Sequence, residues 1–345
     1  MIGWLGLSNE QRRATLEAAG RTSGISPKAI EKDWWVTLVL RALFEGPYGK
    51  YMIFKGGTSL SKCWTLIERF SEDVDIALDP QVFGMEYKVA PTKGDIERLK
   101  RKGCAFTSKE LKIALEEELT KIGVLESIVT ITAEEVDEKM PDKDPQVLMV
   151  GYRSLYEANQ YLGDEVLVEV SVRSLKEPYV YKPIQSLLYT WFPNTVYAEN
   201  PLEIAVADPR KTCLEKAFLL HEEFMKPDMD KMRVKRMSRH LYDLYRLNKS
   251  GVADEALADK ELYSDIIEHR RHYSRLKHVK YESLERPTIF FLPPEILLEA
   301  YREDYMKMQE QMIYGDTIAF DELMAELTML LEKYRWESTS NNSGF

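Results

Sequence analysis

Short runs that alternate apolar and polar residues, or are apolar throughout, fall in the first 190 residues, and a period near 3.6 governs most of the rest. The strand pattern falls on Tyr51–Phe54, Val74–Leu78, Ile128–Thr132, Val147–Tyr152 and Val166–Val172. Residues 8–46 read as helices, with Ser26 before Pro27 marking a start, because serine caps and proline suits the first turn. Trp34 and Trp35 fall within that pattern and are expected to pack in the core. Thr107–Ile122 carries a strong helical pattern entered by Ser108, whereas Asp79–Gly103 reads as a polar loop rich in Lys and Gly, near the site. From about Pro201 the pattern is almost wholly helical. It includes a helix from Arg210 to Glu223 preceded by the Asp208–Pro209 cap, then Pro294–Gln311 and Asp321–Trp336. The chain is therefore α+β, with a first part over residues 1–200, a helical domain over 201–336 and a disordered tail over 337–345.

The stretch FKGGTSLSKCWTLIERFSEDVDIAL, Phe54 to Leu78, carries the candidate chemistry. On a strand, side chains alternate faces, so Asp73, Asp75 and Ala77 share one side and Val74, Ile76 and Leu78 the other. Two carboxylates held so close repel unless a cation lies between them, and oxygen-only ligation suits Mg²⁺ (or Mn²⁺) carrying substrate phosphates. The Val166–Val172 strand separates its faces likewise, placing Glu169 opposite an all-valine side as a third acid. Three acids able to hold two metals could activate an attacking hydroxyl and neutralise a leaving pyrophosphate. Gly56, Gly57, Thr58 and Ser59 follow a strand and open a helix. Their backbone can approach a triphosphate closely, and helix N-terminal amides attract its charge, although this is no Walker A loop. Alone, a Gly-Gly-Thr turn or an Asp-x-Asp pair is an ordinary loop or edge feature. Their succession in one short stretch is what points to nucleotidyl transfer.

At these residues the chain resembles the AbiEii/AbiGii nucleotidyltransferases, toxins of bacterial abortive-infection and toxin–antitoxin systems within the DNA polymerase β-like superfamily. The resemblance runs through Glu31-Lys32-Asp33-Trp34-Trp35, FKGGTSLSK from Phe54, IERFSEDVDI from Ile67, EVSVRSLKEP from Glu169, LEKAFLLHEE from Leu214 and SRHLYDLYRL from Ser238. It implies a polymerase β-like core, a mixed sheet flanked by helices, with the nucleotide in a cleft against the helical C-terminal domain. Lys55, Gly56, Gly57, Thr58 and Ser59 would bind the nucleotide; Asp73, Asp75 and Glu169 would bind metal and act in catalysis. Lys216 matches the second-motif lysine expected at the phosphates and is counted among both the catalytic and the nucleotide-binding residues, the latter with Arg239. Arg239 and Asp243 match a motif like R-x-x-YDLYxL, with Asp243 counted among the catalytic residues. Arg69 and Ser71 before the Asp pair, and Arg173 after the later strand, are further nucleotide-site candidates, with plain structural pairing the competing reading. The resemblance also implies an NTP substrate, an RNA acceptor such as a tRNA 3′ end, a cognate antitoxin and a role in phage defence.

Arg239 and Asp243 stand four apart and meet on one helical face. Three cysteines, Cys63, Cys104 and Cys213, form no CxxC and fit a reducing cytoplasm, while no apolar run approaches membrane-spanning length. None of the five histidines has zinc-ligand spacing. The net charge of −10 argues against broad nucleic-acid binding but leaves room for a local basic groove at Lys93–Lys112, Lys226–Arg239 or Arg270–Lys280. Two rival functions stay open: nucleotidylation of a protein or small molecule, and a nucleotide-binding regulator without turnover.

Overall fold

The computed structural model describes residues 1–71, 73–136, 143–157 and 163–336; the tail expected over 337–345 lies outside them. The chain forms two compact units, one of Met1–Thr65 and Phe70–Asp208, the other of Leu66–Arg69 with the chain from Pro209 onward. Among the described residues no helix is long and apolar enough to cross a membrane.

The first unit opens with α1 (Asn9–Ser23), where Ser8 and Gln11 form a reciprocal capping box, and α2 (Pro27–Glu45), capped by Ser26 with proline in its first turn. Next come β1 (Met52–Lys55), α3 (Gly56–Lys62), β2 (Val74–Leu78), α4 (Lys93–Phe106) and α5 (Lys112–Lys121). The unit closes with β3 (Val129–Ala133), β4 (Gln146–Tyr152), β5 (Glu165–Ser171), β6 (Tyr179–Ile184), α6 (Leu187–Trp191) and β7 (Leu202–Ala207). The seven strands form one mixed sheet in the order β3-β4-β5-β2-β1-β7-β6.

Three differences from the sequence pattern have local causes. Much of the segment read as a loop is α4, started by a Thr92–Asp95 capping box and buried through Ile96, Leu99 and Cys104. Its Gly103 is where the helix meets the sheet: a Cβ there would stand 2.5 Å from Val172 Cγ1. No new helix starts at Ser108, because a π-helical turn, Thr107–Leu111, carries α4 into α5 and Ser108 Oγ donates back to the Cys104 carbonyl at 2.8 Å. β6 and β7 were not in the pattern. β6 contains Pro183, which an edge strand tolerates, and the apolar run of β7 merges into the capped helix after it.

Register separates the two sheet faces. In β4 the even-numbered residues, and in β5 the residues Val166, Val168 and Val170, are buried, while their alternates are only half-covered. α2 packs on the buried face, where Trp35 stacks on Tyr152 with ring centroids 4.9 Å apart. Charges on α2 are satisfied rather than solvated. Glu31 accepts from Ser154 Oγ and Leu155 N, and Lys28 pairs with Asp164 at 3.0 Å.

The second unit comprises α7 (Pro209–Phe224), α8 (Ser238–Lys249), α9 (Val252–Ala258), α10 (Lys260–Tyr273), α11 (Leu298–Gln311) and α12 (Phe320–Arg335). α8 buries Leu241, Tyr242, Leu244 and Leu247. It lacks a side-chain cap of its own, and Asp304 of α11 serves instead, accepting from Ser238 N at 3.0 Å and Ser238 Oγ at 2.5 Å.

Candidate functional site

β2 runs parallel to β5 with Asp75 directly opposite Glu169, and antiparallel to β1 with Asp75 opposite Lys55. Register partners project to the same side of a sheet. Asp75, Glu169 and Lys55 therefore share the half-covered face, and Asp73, one residue before β2, falls in phase with them. Asp73, Asp75 and Glu169 are each half-buried.

The turn into α3 is built around Asp75. Gly56 has φ 78°, and a Cβ on it would lie 2.0 Å from Asp75 Oδ2. Only glycine combines that left-handed conformation with so close an approach. Thr58 then ties the turn to the strand entrance, its Oγ lying 2.5 Å from the Asp73 carbonyl and 2.9 Å from Ser71 Oγ. A carbonyl only accepts, so the single Thr58 proton goes there and Ser71 donates to Thr58. Ser59 Oγ donates to the Gly56 carbonyl at 2.9 Å. Thr58 and Ser59 are both buried, so their hydroxyls act on the backbone around the acids.

α3 is also pinned at its far end, by a residue the sequence reading assigned no role. Lys62 pairs with Asp33 of α2 at 2.7 Å and donates to Thr37 Oγ and the Gln185 carbonyl, while Leu187 N donates to the same Asp33 carboxylate. The signal was there in principle: Glu31, Lys32 and Asp33 precede an apolar run on a buried helix, and buried charges require partners. Asp144 was likewise missed. Its carboxylate accepts from Ser171 Oγ, Val172 N and Arg173 Nε at 2.8–3.0 Å, which gives Arg173 a structural partner at the end of β5.

The donor set at Asp73, Asp75 and Glu169 is all oxygen, which suits a hard cation such as Mg²⁺ or Mn²⁺ rather than zinc. Among the described residues no three His, Cys, Asp or Glu side chains are drawn together as a group able to hold a metal ion. The backbone thus brings the three acids to one face without closing their carboxylates around a point.

The remaining predicted residues lie in the second unit. Arg69 does not point into solvent: its guanidinium forks onto Asp243, Nε to Oδ1 at 2.7 Å and a terminal nitrogen to Oδ2 at 2.8 Å. Lys216 Nζ lies 2.8 Å from the same Oδ2. Asp243, expected among the catalytic residues and read as the i,i+4 partner of Arg239, is fully buried between these two cations. Burial would raise its carboxyl, but Arg69 and Lys216 override that and hold it well below the usual range. Burial pulls the Lys216 ammonium down, against the attraction of Asp243. The carboxylate's direction governs the cluster, because it faces two cations while Lys216 faces one anion and a neighbouring Arg69. Burial, with Lys216 and Arg239 nearby, keeps His240 neutral.

Of the basic runs, Arg270 pairs with Glu222, Arg271 with Glu268 and Glu282, and Arg233 with Glu223. Lys93 and Arg101 meet Glu97 only at 3.6 and 4.0 Å on an exposed face of α4.

A similar solved structure is MenT4, a nucleotidyltransferase toxin from Mycobacterium tuberculosis H37Rv, 17% identical, with a TM-score of 0.41 over 96% of this chain and 100% of that one. Curated protein sequences give no match. The family profile described as "Nucleotidyl transferase AbiEii toxin, Type IV TA system" matches residues 38–326. That span takes in β1 to β7 and most of the helical unit, so the chain belongs to the AbiEii family of nucleotidyltransferase toxins of type IV toxin–antitoxin systems.

Proposed function

We propose that this nucleotidyltransferase moves a nucleoside monophosphate from an NTP to an acceptor hydroxyl on RNA, a tRNA 3′ end in the first instance, releasing pyrophosphate. The observation that carries the reading is the parallel register of Asp75 with Glu169 on the sheet face where Gly56 packs against the Asp75 carboxylate. One or two Mg²⁺ or Mn²⁺ ions, held by Asp73, Asp75 and Glu169, would neutralise phosphate charge there.

The chain's own groups do the rest. Gly56 and Gly57 let the backbone approach a triphosphate, Thr58 with Ser71 fixes the strand entrance that carries Asp73, and Lys55 sets a positive charge across from Asp75. Glu169, a register partner of Asp75 on the adjacent strand, is the proposed acceptor of the attacking hydroxyl's proton. In the second unit, Lys216 and Arg239 are the proposed phosphate-contacting groups. Asp243 and Arg69 are positioning residues that hold Lys216 in place. Growth inhibition relieved by a cognate antitoxin is the proposed biological outcome.

Incubation with each labelled NTP, Mg²⁺ and total RNA tests this. Label is expected in RNase-sensitive, protease-resistant material, and Asp73→Ala and Asp75→Ala are expected to abolish it. Transfer that survives both substitutions removes those acids from the mechanism; protease-sensitive, RNase-resistant label moves the acceptor to protein.

A further inference from the structure

At the carboxyl ends of the parallel neighbours β2 and β5 the first unit holds a cavity of about 280 Å³. Leu78, Pro80, Val172 and Leu175 give it apolar walls, and the Asp79–Lys176 ion pair, 2.8 Å apart, gives it a polar edge. Space beyond the carboxyl ends of parallel strands is where open α/β sheets take ligands. Building on the nucleotidyltransferase reading above, we propose that this cavity receives the base of the incoming nucleoside triphosphate.

Three observations converge on a base. Ala77 lines the cavity and follows Asp75 by two residues on the same sheet face, so the cavity begins roughly 7 Å from Asp75 along the strand, about the span of a ribose. Its volume lies just under the roughly 300–1,000 Å³ of whole-ligand pockets, which gives room for one heterocycle and not for a complete triphosphate. Its lining matches a base's two surfaces: apolar walls for the ring faces, and for the ring edge a carboxylate that accepts beside an ammonium that donates.

The acceptor of that edge is held by its neighbours. Asp79 is buried, accepts from Gln81 N at 2.9 Å as the cap of a short turn, and holds Lys176, whose ammonium lies 6.0 Å from the centre of the Tyr179 ring. Tyr179 in turn packs on the cluster of Ile53, Ala77, Ala205 and Ala207, which reaches the cavity through Ala77. Asp79 and Lys176 offer a ring edge an acceptor beside a donor, and a base edge that mismatches the buried Asp79 carboxylate forfeits a bond there.

The test is equilibrium binding, with Mn²⁺, of the four nucleoside 5′-(α,β-imido)triphosphates and of inorganic tripolyphosphate to the full chain. The wild type is expected to bind at least one of the four tenfold or more tighter than tripolyphosphate. Ser174→Trp, which fills the cavity from its lining, is expected to lose that advantage while holding tripolyphosphate unchanged. Lys176→Ala, which leaves the Asp79 cap in place, is expected to alter the order of preference among the four bases, and it decides the matter should the tryptophan variant fail to fold. A folded Ser174→Trp protein that keeps wild-type nucleotide affinity, or a Lys176→Ala protein with unchanged affinities and order, overturns the cavity assignment. Wild-type protein that binds all five probes equally also overturns it. Binding of none of the five overturns the nucleotidyltransfer reading on which it rests.

Discussion

Gly56→Ala isolates the contact between the backbone of the turn into α3 and the Asp75 carboxylate, the proposed metal-site acid. Two costs arise, and they are separable. The alanine inherits φ 78°, a left-handed conformation that costs an L-residue about 1–2 kcal/mol. The new Cβ also stands 2.0 Å from Asp75 Oδ2, 2.7 Å from Cγ and 3.1 Å from Cβ, where ordinary contacts begin at 3.4 Å. Rotating the carboxylate about its last bond relieves only the first overlap, so the whole Asp75 side chain must leave its place or β1 and β2 must part. Either shift is on the order of the roughly 1 Å misplacement that costs about 10²-fold in rate. Nucleotide transfer is therefore expected to fall by about 10²-fold or more. Gly24→Ala is the control: it carries φ 75° at the end of α1 with nothing within 4 Å. It is expected to lose about the same 1–2 kcal/mol of stability with transfer unchanged. The assay is initial rate of label transfer for both variants beside urea unfolding. Wild-type transfer by Gly56→Ala would refute the placement of Asp75 in the reacting centre, and an equal loss in Gly24→Ala would assign the effect to strain alone.

Asp243→Ala leaves Arg69 and Lys216 buried and facing each other, and losing one partner of a buried ionic cluster costs about 3–5 kcal/mol; amide exchange in α7 and α8 should accelerate accordingly. Because the folded carboxyl is held below its ordinary value, its contribution is complete above the unfolded aspartate value of about 3.9 and is lost as pH falls further. The stability gap between wild type and variant should thus be constant near neutrality and shrink below about pH 4, and a gap that widens in acid would contradict the pairing. Thr58→Val removes the hydroxyl that holds the Asp73 carbonyl and Ser71, leaving a half-buried carbonyl short of its donor at about 1 kcal/mol, the low end of the penalty for an unmade bond. Transfer should fall in Thr58→Val and recover in Thr58→Ser; equal loss in both would place the requirement in the methyl group instead.

What the sequence made legible was whatever a few consecutive residues decide. The Gly56 turn, the phase of Asp73 and Asp75, and the position of Glu169 opposite an all-valine face follow from strand alternation alone, and β2 and β5 bear out that alternation. The helix beginning at Pro209 was legible from Asp208 and Pro209 for the same reason. Hidden were facts fixed by partners far along the chain. That β2 and β5 run parallel, with Asp75 beside Glu169, depends on pairing segments more than ninety residues apart. α4 was hidden because lysines and glycines disguised a face carried by Ile96 and Leu99, and its Gly103 is explained only by Val172 across the interface.

Asp243 shows why buried charge is the hardest part to read. Helical geometry offered it Arg239, four residues back, and an exposed pair of that kind contributes a few tenths of a kcal/mol. Once α8 buries its inner face, the choice of partner is set by desolvation. A carboxylate stripped of water needs its lone pairs filled, and Arg69 supplies two parallel donors while Lys216 supplies a third. Lys62 and Asp33 repeat the logic within the first unit. In both clusters the residues resemble a family motif, and in both the geometry gives that motif a positioning role: Lys62 fixes the far end of the helix that begins at Gly56, and Asp243 fixes Lys216. Motif residues that look like chemistry in a sequence can thus be groups that hold their neighbours still. Asp73, Asp75 and Glu169, the proposed reacting-centre acids, keep part of their surface, whereas Asp243 keeps none.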